Sequence, residues 1–117
     1  MGTDRNKRAV GTAYEQKAAD YLISAGYQLI EKNYRCRTGE IDLIARDGGY
    51  LVFVEVKYRT DLSAGCGAEA VNLKKQNRIR NAAKCYLFEH KLKWDQPCRF
   101  DIVSFTAGER TLIKNAF

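Results

Sequence analysis

Proline is nearly missing from this chain: Pro97 is the one proline in 117 residues. With 45% of residues apolar, that composition excludes a disordered or linker-rich chain and predicts one folded domain with its own core. No apolar run approaches the roughly 20 residues needed to cross a bilayer, so no membrane segment is expected. The opening residues, MGTDRNKRAVGTAYEQ, contain no hydrophobic stretch, so no secretory signal is expected either. Residues 1–10 read as a flexible basic segment ahead of a single domain spanning 11–117. Histidine is also scarce. His90 stands alone, and the four cysteines, at 36, 66, 85 and 98, form no C-x-x-C pair. Zinc-ligand spacing is therefore lacking, and the thiols read as free cysteines of a reducing cytoplasm. Acidic residues are in deficit, 14 against 20 Lys and Arg, for a net charge of +6. That balance favours a polyanionic partner, although no RNP, zinc-finger or Walker signature names one. The basic excess concentrates between Lys74 and Lys93, where seven basic residues face one acidic residue, Glu89. Such a run is either a solvated helix face or a phosphate-binding one.

What is present is strong periodicity. Tyr14, Ala18, Tyr21, Leu22 and Ala25 recur at helical spacing, Thr12 and Glu15 match a capping box, and Gly26 is a natural stop. A helix over 12–25 follows, then a strand over 27–35. The runs Gly39–Arg46 and Tyr50–Tyr58, joined by Asp47-Gly48-Gly49, read as a β-hairpin. The second run is apolar on both faces except at Glu55 and Lys57, the pattern of a strand covered on both sides. Residues 59–68 read as a loop and a candidate substrate clamp. A long helix follows with Asn72 as N-cap and Ile79, Ala82, Ala83, Tyr86 and Leu87 as its buried stripe. A strand over 99–105 completes an αβββαβ order, with a short last strand over 111–114. The fold class is α/β, a mixed sheet with helices packed on it.

The charged exceptions in the hairpin carry the chemistry. Strand side chains alternate faces, so Glu40, Asp42 and Ile44 share one face, as do Phe53, Glu55 and Lys57. If Gly48-Gly49 is a two-residue loop, Ile44 faces Phe53, Asp42 faces Glu55 and Glu40 faces Lys57. Two carboxylates in a covered sheet repel, and each carries a burial penalty of several kcal/mol. A hard divalent cation, Mg²⁺ or Mn²⁺, would relieve both, held by Asp42, Glu55 and the main-chain carbonyl of Val56. Lys57 could then orient or deprotonate an attacking water, a set suited to phosphodiester hydrolysis. The competing expectation is a structural Glu40–Lys57 ion pair with Asp42 and Glu55 facing solvent. Lys75 stands out as well. It extends the buried stripe and sits in the first turn of its helix, where the dipole disfavours a cation. It points to a phosphate or a site carboxylate, unless it only snorkels past the core.

The segments Gly39-Glu-Ile-Asp-Leu-Ile-Ala and Leu51-Val-Phe-Val-Glu-Val-Lys resemble the YraN-like family of predicted bacterial endonucleases. That family is placed in the PD-(D/E)XK nuclease superfamily, near the archaeal Holliday junction resolvases. The likeness extends over Gly11 to Leu22, Ala68-Glu-Ala-Val71, Lys75 and Arg99-Phe-Asp-Ile-Val103. It implies a restriction-endonuclease-like core, Asp42 and Glu55 as metal ligands, and Lys57 as catalytic lysine. Glu15 corresponds to a first-helix glutamate that completes the site in the resolvase branch, in competition with its capping-box reading. One departure is Ile41, where the superfamily's name has proline. The function implied is metal-dependent hydrolysis of DNA, branched DNA included. Lys74, Lys75, Arg78 and Arg59 are the residues expected to meet nucleic acid. Two alternatives stand beside it: a non-catalytic nucleic-acid-binding protein on a nuclease scaffold, and a scaffold protein meeting an acidic partner. Relatives of that superfamily dimerise to cut two strands, so a homodimer is a further expectation, with no dimer face legible.

Overall fold

The apolar runs in the middle of the chain form the middle of a sheet. The computed structural model describes residues 3–59, 71–93 and 95–117. Helix α1 spans Thr3–Ser24, followed by β1 (Gln28–Cys36), β2 (Gly39–Asp47), β3 (Tyr50–Arg59), α2 (Leu73–Glu89), β4 (Cys98–Thr106) and β5 (Glu109–Ile113). The five strands lie in sequence order, with β3 central. The β3–β4 pair is parallel, as a crossover through α2 requires, and the other three pairs are antiparallel.

Both faces of β3 are covered. Ile44, Leu51, Phe53 and Ile102 pack under Ile79, Ala82, Ala83 and Tyr86 of α2. On the other face Leu43, Val52, Val54 and Val103 pack under Ala18, Ala19 and Leu22 of α1. Residues 51 to 56 are all buried, and Phe53 is the largest fully buried side chain. Burying such a side chain stabilises the fold by about 1.5–3 kcal/mol. Among the described residues, no helix is long and apolar enough to cross a membrane. Cys36, Cys85 and Cys98 are free thiols, and Cys66 lies outside the described residues.

Two expectations need correction. The first helix starts at Thr3, nine residues before Thr12, so Thr12 and Glu15 are interior residues and form no capping box. The stretch before Gly11 lacks apolar periodicity but holds no helix breaker, and charged residues propagate a helix well. The second concerns the hairpin beyond its paired part. Pairing runs from Asp47↔Tyr50 through Ile44↔Phe53 to Leu43↔Val54, the register of a two-residue Gly48-Gly49 loop. The facing pairs Asp42–Glu55 and Glu40–Lys57 do not continue it. Opposite this point, Asn33 on β1 adopts φ 55°, a left-handed conformation that breaks strand alternation. Ile41 and Ile44, three residues apart, both reach the α2-side core, so side-chain alternation along β2 breaks between them.

One glycine fixes how α2 sits on the sheet. A Cβ on Gly39 would lie 2.4 Å from the backbone oxygen of Arg78, so β2 and α2 touch backbone to backbone there. Gly39→Ala should push the start of α2 off the sheet. The expected cost is roughly 1–3 kcal/mol in urea unfolding, as for other overpacked sites.

Candidate functional site

The loss of pairing beyond Leu43↔Val54 gives the Asp42 carboxylate its place. Its Oδ2 accepts the Val56 N–H at 2.8 Å, a hydrogen bond to β3 made by a side chain. Asp42 is half-buried, and Glu55 beside it is 4% exposed. Burial, and next the charge of Glu55, raise the Asp42 carboxyl well above its ordinary 3.8. The hydrogen bond from Val56 opposes this rise without cancelling it.

Two lysines answer that negative charge. Asn72 caps α2 by accepting the Lys75 N–H at 2.9 Å, which sets the first turn and aims the Lys75 side chain at the sheet. Lys75 Nζ lies 2.8 Å from Glu55 Oε1. Burial alone would lower the Lys75 ammonium, but Glu55 more than reverses this, and the net shift is upward. Lys57 goes the other way. Burial, then contact with Lys75, hold it below its ordinary 10.5, against the pull of Glu55 and Asp42.

These groups line one cleft with two lobes. Asp42, Glu55 and Lys75 face both. The α2-side lobe, about 330 Å³, adds Glu40, Lys74 and Arg78. The α1-side lobe, about 240 Å³, adds Gly11, Glu15, Val56, Lys57 and Tyr58. Glu15 is raised by burial, which the nearby Asn33 side chain opposes, with smaller contributions from Glu40 and Glu55. Glu40 does not pair with Lys57. It sits opposite Arg35 on β1 and forms an ion pair with it at 3.2 Å. Arg59 closes β3, and its side chain, with residues 60–68 of the expected loop, lies outside the described residues.

The donor set is chemically suited to a hard cation. All its side-chain donors are carboxylate oxygens, and burial beside Glu55 leaves Asp42 short of compensating charge. Among the described residues, no three His, Cys, Asp or Glu side chains close into a metal cage. Asp42 and Glu55 would fill only part of the shell of a Mg²⁺-type ion, which takes its other ligands largely from water.

Reading the hairpin alone misses a second buried charge cluster on the far side of the sheet. Asp101 on β4 is fully buried, and its carboxylate accepts from Arg99 Nε at 2.9 Å, Tyr27 Oη at 2.8 Å and the Asn115 N–H at 3.0 Å. Arg99 also reaches Asp47 at 2.7 Å. The signal that singles out Glu55, a charge inside an apolar strand, is equally present at Asp101. This cluster is saturated with partners, so it braces the sheet.

Comparison with known proteins places the chain. Residues 14–105 match the model described as "Uncharacterised protein family UPF0102". A UPF0102 protein of Lachnoclostridium phytofermentans is 54% identical over 112 residues, covering 96% of this chain and 95% of its own. A UPF0102 protein of Symbiobacterium thermophilum is 48% identical, with 94% and 97% covered. One from a Janthinobacterium species is 44% identical, with 94% and 88% covered. The chain belongs to the UPF0102 family, the YraN-like group that the hairpin motifs resemble.

Proposed function

We propose that this UPF0102 protein is a metal-dependent DNA endonuclease on a restriction-endonuclease-like core, related to the Holliday junction resolvases. The observation that carries the reading is the break in the β2–β3 ladder. It places an undercompensated Asp42 carboxylate against Glu55, with Lys57 and Lys75 in the same cleft. A merely structural strand would continue the ladder and leave no such charge inside.

In this reading Asp42, Glu55 and the Val56 carbonyl hold Mg²⁺ or Mn²⁺. Such an ion supplies positive charge for the phosphate and lowers the pKa of water. The chain's own residues do the rest. Lys57, held below its ordinary pKa, is placed to take or return a proton at Nζ beside the carboxylates. Lys75 fixes the Glu55 carboxylate and adds a cation that favours a phosphate in the cleft. Lys74 and Arg78 extend that positive lining on the α2 side. Glu15 enters the α1-side lobe beside Asp42 and Glu55, where its carboxylate can position a water.

One observation favours a second reading. The Lys75–Glu55 contact already neutralises one carboxylate from within the chain, as a non-catalytic DNA-binding protein on this scaffold would require. The two readings separate in a cleavage assay on linear, flapped and four-way-junction DNA with Mg²⁺ or Mn²⁺. Metal-dependent cutting lost in Asp42→Ala and Lys57→Ala supports the enzyme. Salt-sensitive binding with no cutting under either metal overturns it in favour of the binding protein.

A further inference from the structure

Beside the cleft, a second groove takes no part in the chemistry just described. It lies between α1 and the β4–β5 end of the sheet and has a volume of about 690 Å³, with Tyr14, Lys17, Tyr21, Phe105 and Arg110 on its walls. Its acidic residue, Asp20, already accepts the Gln16 amide at 2.9 Å. Three aromatic rings connect this groove to the cleft. Phe105 and Tyr14 have centroids 5.0 Å apart. Tyr14 and Tyr58 are stacked at 4.6 Å with planes 8° apart. Tyr58 is the ring at the cleft end. It follows Lys57 directly, lines the α1-side lobe and is 38% exposed, although it continues a buried strand. Cations accompany the rings: Lys17 Nζ is 5.0 Å from the Tyr14 centroid, and Arg110 Cζ is 3.8 Å from that of Tyr21.

Flat π-faces interleaved with exposed cations form the chemistry that takes single-stranded nucleic acid. The rings accept bases, and the cations follow the backbone. A base inside a duplex has both faces covered by its neighbours, so only an unpaired base can use such a ring. We propose that Tyr58, backed by Tyr14 and Phe105, stacks an unpaired base of the strand whose phosphate enters the cleft. Lys17 and Arg110 lie along the continuation of that strand. The substrate class is then DNA with single-stranded nucleotides next to the scissile bond, such as a flap, an overhang or an open junction. This rests on the nuclease reading only for the position of the scissile phosphate.

The test is binding without catalysis. In EDTA, the protein is titrated against a single strand, a flapped duplex and a blunt duplex carrying 2-aminopurine, with anisotropy and base fluorescence recorded. Stacking should quench 2-aminopurine in the single strand and the flap. Tyr58→Ala should weaken binding to those two by about tenfold, remove the quenching and leave blunt-duplex binding unchanged. Tyr58→Phe, which keeps the ring, should behave as wild type. Equal losses on all three DNAs, or no change with Tyr58→Ala, would overturn the proposal. Ring-dependent quenching in a protein that cuts nothing would uphold the platform and sink the nuclease reading. Metal-dependent cutting indifferent to Tyr58→Ala, without quenching, would do the reverse.

Discussion

Asp42→Asn should fold, bind DNA and lose metal-dependent cleavage by about 10³-fold, equivalent to ~4 kcal/mol of transition-state stabilisation. The substitution is nearly isosteric, and the amide oxygen can still accept the Val56 N–H, so the β2–β3 junction keeps its shape. What disappears is one negative charge of the pair that would hold the cation. The same change should make the metal-free protein more stable at neutral pH. Burial and Glu55 raise the Asp42 carboxyl, so its charged form is worse off in the folded protein than in the unfolded chain. A group with a raised acid pKa opposes folding above its unfolded value, and an amide has no such cost. Thermal melting in EDTA should therefore place the variant above wild type at neutral pH. The gap should close as pH falls below the ordinary aspartate value, where wild type is protonated in both states. A variant that loses activity and stability together would mean that Asp42 is a brace, and the site reading would fail. Activity lost while stability rises is the signature of a charge kept for function, at a cost to the fold.

The sequence makes some of this geometry legible and hides the rest for identifiable reasons. Asp-Gly-Gly between two β-rich runs determines the loop, and the ladder from Asp47↔Tyr50 to Leu43↔Val54 follows by counting. The Asn72 cap and the stripe from Ile79 to Tyr86 are local signals that tertiary contacts reinforce. Lys75 stands out because two local rules disfavour a cation there, and it lies on Glu55. The exit from the ladder at Asp42 is different. It coincides with a left-handed Asn33 on the neighbouring strand, and no periodicity along β2 can report the backbone of β1. Glu40 follows the same logic. Its partner, Arg35, comes from β1, whereas the hairpin count considers β3 alone. The early start of α1 is invisible to a test based on apolar spacing, because its first turns are polar throughout. The Tyr14–Tyr58–Phe105 stack joins α1, β3 and β4, so it exists only once the sheet is assembled.

Arg99→Met should be strongly destabilising, costing about 3–5 kcal/mol. Asp101 is fully buried, and Arg99 supplies two of its hydrogen bonds, Nε to Oδ1 and an η nitrogen to Oδ2, each at 2.9 Å. Methionine keeps much of the volume but leaves a buried carboxylate with only Tyr27 and the Asn115 N–H. For a chain of this length the melting temperature should fall by roughly 10–20 °C. Arg99→Met with Asp101→Asn removes the stranded charge, so the double variant should recover part of the loss. The resulting coupling energy separates an ion pair from simple packing. The acid limb gives an independent check. The Arg99 hydrogen bond holds Asp47 below its ordinary 3.8, against the opposing effect of burial. A depressed carboxyl pKa contributes stability that is complete above the unfolded value and is lost as pH falls through the lower folded value. Arg99→Met removes that contribution, so its stability should fall less steeply than wild type in this acid window, with Lys114, 3.6 Å from Asp47, keeping a remainder. Parallel acid limbs for the two proteins would show that the Arg99–Asp47 contact contributes nothing to stability. A melting temperature within a few degrees of wild type would show that water enters to solvate Asp101 and that the sheet does not depend on the cluster.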